Sequence, residues 1–241
     1  MRPGRTWWAG TSILSFAVVI VLGSSMAVAR AGERVSAEPA RPKIGLVLAG
    51  GGAKGAAHVG VLKVLEEMRI PIDVVVGTSM GSIVGGLYAS GMRPDDIERA
   101  IREIDWVDVF EDAPDRADRS FRRKADDALY VFKAKPGFSD GKIKLPLAVV
   151  QGQKFDLELN RLTQGVSAVG DFDKLPIPFR AVAADLETGD QVVLKSGSLP
   201  RALRASMAVP GAFYPVEMDG RLLVDGGIAN NIPISVAREL G

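Results

Sequence analysis

Ser79 sits in Gly77-Thr78-Ser79-Met80-Gly81, with a glycine two residues away on either side. A serine hydroxyl does covalent chemistry when it is lifted clear of its own backbone and a base can take its proton. It also needs N–H donors waiting for the negative charge that develops on the attacked oxygen. The G-x-S-x-G spacing supplies the presentation, because a sharp turn from strand to helix strains the serine and needs glycines where other chain passes close. Upstream, Gly50-Gly51-Gly52-Ala53-Lys54-Gly55 supplies the donors: unhindered N–H groups at a predicted helix start, with Lys54 adding positive charge.

The base is the harder part. The only histidine, His58, precedes the serine and falls one turn into the helix after the glycines. Hydrolases with this elbow place their histidine last in the chain. His58 is therefore read as packing or capping, and the base is sought among carboxylates and lysines. Asp225 stands out: it closes the apolar run LLV, and Gly226-Gly227 follow it, letting substrate or backbone come near. Asp185, at the end of AVAAD, is the second candidate and is read as structural. An aspartate is a weak base near neutral pH. A Ser–Asp pair would lean on oxyanion donors, each worth about 2.7–4 kcal/mol, and esters suit it better than amides.

Gly50-x-Gly52-x-x-Gly55 also fits a dinucleotide fingerprint. That fold wants an acid at the end of its second strand, where this chain has Gly77-Thr78-Ser79 and keeps Asp73 at the strand's beginning. No G-K-[ST] follows the glycines, so a P-loop fails as well. No nucleotide is expected.

Composition narrows the field further. The 241 residues are 47% hydrophobic and 24% charged, with a net charge of +1, enough for one α/β domain and no field that would draw nucleic acid. The absence of cysteine excludes disulfides and thiol nucleophiles, and with a single histidine no metal or other cofactor is expected.

These motifs need elements to hold them. Residues 44–49 (IGLVLA) read as a strand covered on both faces. In the helix after the glycines, Val61, Val64, Leu65 and Met68 fall at i, i+3, i+4 and i+7, predicting a buried stripe. Residues 73–76 (DVVV) form a second buried strand, giving a right-handed parallel βαβ unit. Gly81, Gly85 and Gly86 in the next helix allow close packing against the sheet, and Gly91 ends it.

Residues 94–104 predict a helix, 105–130 a charged surface insertion, and 130–146 a hairpin turning at Gly137 and Asp140-Gly141. Helices follow over 152–164 and 199–208, and strands over 179–185 and 191–195. Residues 214–218 and 221–225 form a hairpin about Asp219-Gly220, and a last helix spans 232–240.

The amino terminus reads differently. Arg2 and Arg5 precede an uncharged run over 6–29 that closes in small residues, as in a secretory signal peptide. A retained membrane anchor is the alternative. Residues 30–42 read as a linker, and 43–241 as the folded domain.

The order GGGAKG, GTSMG, DGG, with RASMAVPGAFYPVE (204–217) and LVDGGIANNIP (223–233), resembles the patatin-like phospholipase family over most of 44–240. The resemblance implies a three-layer α/β/α fold with a central, mostly parallel sheet and a Ser–Asp dyad. Ser79 would be the nucleophile, Asp225 the base, and Gly50, Gly51 and Gly52 the oxyanion loop. Lys54, Gly55, Gly77, Gly81, Gly226 and Gly227 would support them, and His58 would have no catalytic part. It further implies a phospholipid or other lipid ester as substrate, and peripheral contact with a membrane. The leader suits the family's exported bacterial branch, some of whose members carry an outer-membrane barrel, and a chain in the periplasm, at the outer membrane or secreted.

In the family another strand follows the last helix, so a truncated domain with an exposed sheet edge is expected. The rival functions are a nonspecific esterase or acyltransferase with the same dyad, and a non-catalytic secreted binding protein. Trp106 and Phe110 are read as lining an acyl pocket or filling core, and Arg122-Arg123-Lys124 as solvated surface.

Overall fold

A computed structural model describes residues 41–111 and 148–241, with positions 117, 120–122, 124, 137–139 and 142–144 between them. The leader, the linker up to residue 40, Arg123 and the turn residues Asp140 and Gly141 lie outside the described residues.

Among the described residues, six strands make the main sheet: β1 (Gly45–Leu48), β2 (Val74–Thr78), β6 (Phe179–Asp185), β7 (Gln191–Leu194), β9 (Val216–Met218) and β10 (Arg221–Asp225). Strands β1, β2 and β6 run parallel, and β7, β9 and β10 join them antiparallel, so the sheet is mixed. Short strands β3 (Gly137–Ser139) and β4 (Lys142–Lys144) pair antiparallel, matching the hairpin expected there, with Gly137 in a strand. Strand β5 (Ala148–Val150) pairs with β8 (Gly211–Phe213). The β9–β10 turn falls at Asp219 and Gly220, both at positive φ (51° and 75°), as a tight hairpin demands.

The sheet alternates as a doubly covered strand layer should. Val75, Phe179, Ala181 and Ala183 face a large core. That core is filled by α1 (His58–Glu67), α2 (Met80–Ala89), α3 (Pro94–Glu103), α5 (Gln153–Leu162) and α6 (Leu199–Ser206). Val74, Val76 and Val182 face a smaller one closed by Val236 of α7 (Ile234–Glu239). This is the expected three-layer arrangement. Helix α7 begins two residues later than predicted, because Pro233 holds the residue before it out of helical geometry.

Helix α2 is the central helix, with every residue from Met80 to Leu87 buried. Its glycines allow that. A Cβ on Gly85 would stand 2.8 Å from the Val75 side chain, and one on Gly86 2.8 Å from Leu203 of α6. Gly81 is tightest, since a Cβ there would lie 2.2 Å from the backbone oxygen of Leu48 and 2.6 Å from that of Ala49. Backbone cannot step aside as a side chain can. Gly81→Ala is expected to lower the unfolding free energy by about 3 kcal/mol or more. Gly60→Ala, in α1 with nothing within 4 Å of the new carbon, should raise it by about 0.4–1 kcal/mol. Denaturant titration of the two variants checks the pair.

The predicted burial of α1 is wrong in phase. Val61, Val64 and Met68 are 50%, 51% and 65% exposed, and the inward side chains are Val59 and Leu62. Helix α1 carries apolar residues at helical spacing on two faces, so periodicity alone does not choose between them. The choice falls to the 3-10 turn Gly52–Ala57 ahead of it. A Cβ on Gly55 would be 2.7 Å from the Met80 side chain. That contact fixes the rotation that brings Gly55, Val59 and Leu62 inward at i, i+4 and i+7.

On the outer side, Lys63 joins α1 to α3 through Asp95 (2.7 Å) and Glu98 (2.5 Å). Their hydrogen bonds hold the ammonium above its ordinary pKa, and Lys63 in turn holds both carboxyls below theirs.

Helix α4 (Trp106–Glu111) brings Trp106 and Phe110 to an aromatic group with Phe155 and Phe213, at centroid separations of 5.3–6.2 Å. The ring of Trp106 is half-buried there, and that of Phe110 is 39% exposed.

Candidate active site

Strand β6 is the ruler that sets the site. Strand β7 occupies one edge of β6 over Ala181–Ala184, which leaves β2 and β10 to share the other. Strand β2 runs along that edge until Thr78 pairs with Val182, and β10 arrives from the opposite direction with Asp225 paired to Ala183. The two strands meet end to end over consecutive β6 residues. The residue that leaves β2, Ser79, therefore faces the last residue of β10, although 146 positions separate them.

Ser79 caps the N-terminus of α2 at φ 55° and ψ −126°, a positive φ that few non-glycine residues adopt. Long-range contacts hold the turn. The Ser79 N–H donates to Ser206 Oγ at 2.9 Å, and that hydroxyl donates to the carbonyl of Val182 at 2.5 Å. The Thr78 hydroxyl donates to the carbonyl of Asn230 at 3.0 Å. A Cβ on Gly77 would stand 2.4 Å from the Gly81 oxygen, so the elbow closes only with glycine there.

The Ser79 hydroxyl donates to Asp225 Oδ2 at 2.6 Å. Both residues are buried, at 6% and 7% exposure. The other carboxylate oxygen, Oδ1, accepts the N–H of Gly227 at 2.7 Å, and the Asp225 N–H donates to the carbonyl of Ala208. Asp225 is thus fixed from its side chain and its main chain. Gly226 must be glycine for the turn to pass β6, since a Cβ would lie 2.2 Å from the Val182 oxygen.

The glycine loop lies alongside. A Cβ on Gly50 would come within 2.9 Å of the Ser79 Cβ. The Gly50 N–H donates to Asn231 Oδ1 at 3.1 Å. In this state it is the neighbouring Gly51 and Gly52 amides that open the helical turn, at exposed positions. Lys54 is exposed on the same turn, and Gly55 is buried under it.

The remaining candidates go elsewhere. A ring nitrogen of His58 makes its hydrogen bond with the carbonyl of Ala49 at 2.9 Å, which ties the start of α1 to the glycine loop. Asp185 Oδ1 accepts the N–H groups of Glu187 and Thr188 and shapes the β6–β7 turn.

Sequence reasoning missed Ser206 and Asn231. Both lie inside the stretches 204–217 and 223–233, yet their parts depend on contacts 127 and 181 residues away. Asn231 also sits against Gly227, where a Cβ would meet its Oδ1 at 3.2 Å, so one side chain braces the glycine loop against the Asp225 turn. Asn231→Ala is expected to lower kcat for a soluble ester about tenfold with KM little changed, a fraction of the loss on removing a whole oxyanion donor. Asn231→Asp keeps an acceptor for Gly50 and should restore most of it. Steady-state kinetics of both variants decide this.

The Ser79 hydroxyl thus has a buried carboxylate to accept its proton, beside exposed amides that are donors for an anion. A family model described as "Patatin-like phospholipase" matches residues 46–238. A patatin-like phospholipase domain-containing protein of Caenorhabditis elegans is 38% identical over 200 residues, covering 82% of this chain and 13% of its own length. An uncharacterized NTE family protein of Mycobacterium tuberculosis is 34% identical over 194 residues, covering 80% of this chain and 45% of its own length. Among solved structures, VipD from Legionella pneumophila aligns with a TM-score of 0.49 at 19% identity, over 79% of this chain and 47% of that one. The chain spans less than half the length of each of these proteins.

Proposed function

This chain belongs to the patatin-like phospholipase family, and from that premise we propose that residues 43–241 are a lipid acyl-ester hydrolase of phospholipase A type. The observation that carries the proposal is the 2.6 Å hydrogen bond from the Ser79 hydroxyl to Asp225. As Ser79 Oγ attacks the ester carbonyl, its proton passes to Asp225 Oδ2 along that bond. The negative charge on the former carbonyl oxygen is met by amides of the Gly50–Gly52 loop and by the N-terminus of α2. Asp225 then returns the proton to the departing alkoxide, leaving the acyl group on Ser79. A water molecule, deprotonated by the same carboxylate, attacks the acyl carbon; the bond to Ser79 Oγ breaks, Asp225 returns the proton to Ser79 Oγ, and the fatty acid leaves. No metal or cofactor has a part in these steps.

The substrate is a phospholipid or another lipid ester. In the family premise, a Ser79 recessed to 6% exposure suits an acyl chain reaching in from a surface. We place the chain outside the cytoplasm, exported by residues 1–29, in the exported bacterial branch of the family. Liberation of free fatty acid from phosphatidylcholine vesicles, compared with turnover of a soluble short-chain ester, tests the substrate class. Turnover of the soluble ester alone would make the chain a general esterase.

A further inference from the structure

We infer that Val209, Ile228 and Ile232 form a surface that docks the mouth of the site onto a phospholipid layer; the inference rests on the hydrolase reading and names where its substrate is met. The three side chains are 43%, 61% and 57% exposed, although each is a large aliphatic group. Each follows a residue that holds the site. Val209 follows Ala208, whose carbonyl takes the Asp225 N–H. Ile228 follows Gly227, whose N–H goes to Asp225 Oδ1. Ile232 follows Asn231, which takes the Gly50 N–H. All three therefore adjoin, along the chain, residues that hold the site. Stray surface aliphatics are ordinary, but three that each adjoin a residue holding one recessed site point to an interaction surface.

Charge identifies the occupant. Segments 49–57 (AGGGAKGAA), 207–215 (MAVPGAFYP) and 226–234 (GGIANNIPI) meet around Ser79 and hold one charged residue between them, Lys54, in a chain that is 24% charged. Asp225 lies just outside them and is buried. Three segments that are uncharged but for one exposed cation fit lipid, with aliphatic groups entering the acyl boundary and an ammonium among the phosphates. A soluble protein partner would be expected to meet a polar rim with opposing charges.

The test has to be local, because an uncharged run of the length of 6–29 would be expected to enter vesicles by itself. The chain has no cysteine, so Ile228→Cys in the 241-residue Ser79→Ala chain takes one environment-sensitive fluorophore at one place. Adding vesicles of phosphatidylcholine mixed with phosphatidylglycerol should shift its emission to the blue and raise its intensity several-fold. The same fluorophore at Val64→Cys, on the exposed face of α1, should not respond. A silent label at 228, or equal responses at 228 and 64, would overturn the docking surface. A response at 228 to a soluble short-chain ester without vesicles would overturn it too, since that position would then line a substrate pocket.

As a second measurement, Ile228→Glu combined with Ile232→Glu in the active chain should lower the ratio of vesicle to soluble-ester turnover at least about tenfold. An unchanged ratio counts against the surface. A chain that liberates no fatty acid while the label at 228 responds would sink the hydrolase reading and leave the docking surface standing.

Discussion

Replacing Ser79 with alanine is expected to abolish labelling by a fluorophosphonate probe and to lower ester turnover by about 10³-fold or more, the scale of losing a nucleophile. The variant should fold. Alanine keeps the Cβ that the elbow already accommodates, and the Ser79 N–H that donates to Ser206 is untouched. What is lost is the hydroxyl that reaches Asp225. The carboxylate keeps its hydrogen bond from Gly227, so it is not left bare in the interior, where an unpaired charge would be costly. Equal labelling of the wild type and the variant would show that another residue carries the nucleophile. Circular dichroism on the same samples separates loss of chemistry from loss of fold.

Asp225→Asn should lower turnover by about 10²–10⁴-fold, the contribution of a positioned general base, with the fold intact. The reason is directional. Gly227 donates to Oδ1 at 2.7 Å, so the asparagine oxygen stays on that side and the amide NH₂ turns to Ser79. An amide there donates where the carboxylate accepted, and the serine has nowhere to send its proton. Asp185→Asn and His58→Gln serve as comparisons, since the side chain of the first shapes the β6–β7 turn and that of the second reaches Ala49. Full activity of Asp225→Asn, measured as kcat/KM on a soluble ester, would send the search for the base back to those two.

The two acid candidates show what a sequence can rank and what it cannot establish. Both Asp185 and Asp225 end apolar strands, and both are followed by a turn. The glycines after Asp225 favoured it, and the space for them is visible only in three dimensions, where a Cβ on Gly226 would run into the Val182 carbonyl. Asp185 spends its side chain on its own turn. The misjudged face of α1 has a similar origin. Local spacing defines two apolar stripes on that helix, and a contact between Gly55 and Met80, 25 positions apart in the numbering, chooses between them.

The sequence by itself determined the strand–turn–helix units, the glycines that let each turn close, the hairpin at Asp219-Gly220, and the elimination of thiol and histidine-last mechanisms. These are local properties, fixed by backbone sterics and by which side chains are present. Tertiary structure alone decided that β2 and β10 end against consecutive residues of β6, that Ser206 holds the elbow, and that Asn231 braces the glycine loop. Those contacts close loops of more than a hundred residues. Their geometry depends on how the whole sheet packs, because no pattern along the chain encodes which strand ends come to face each other across one edge.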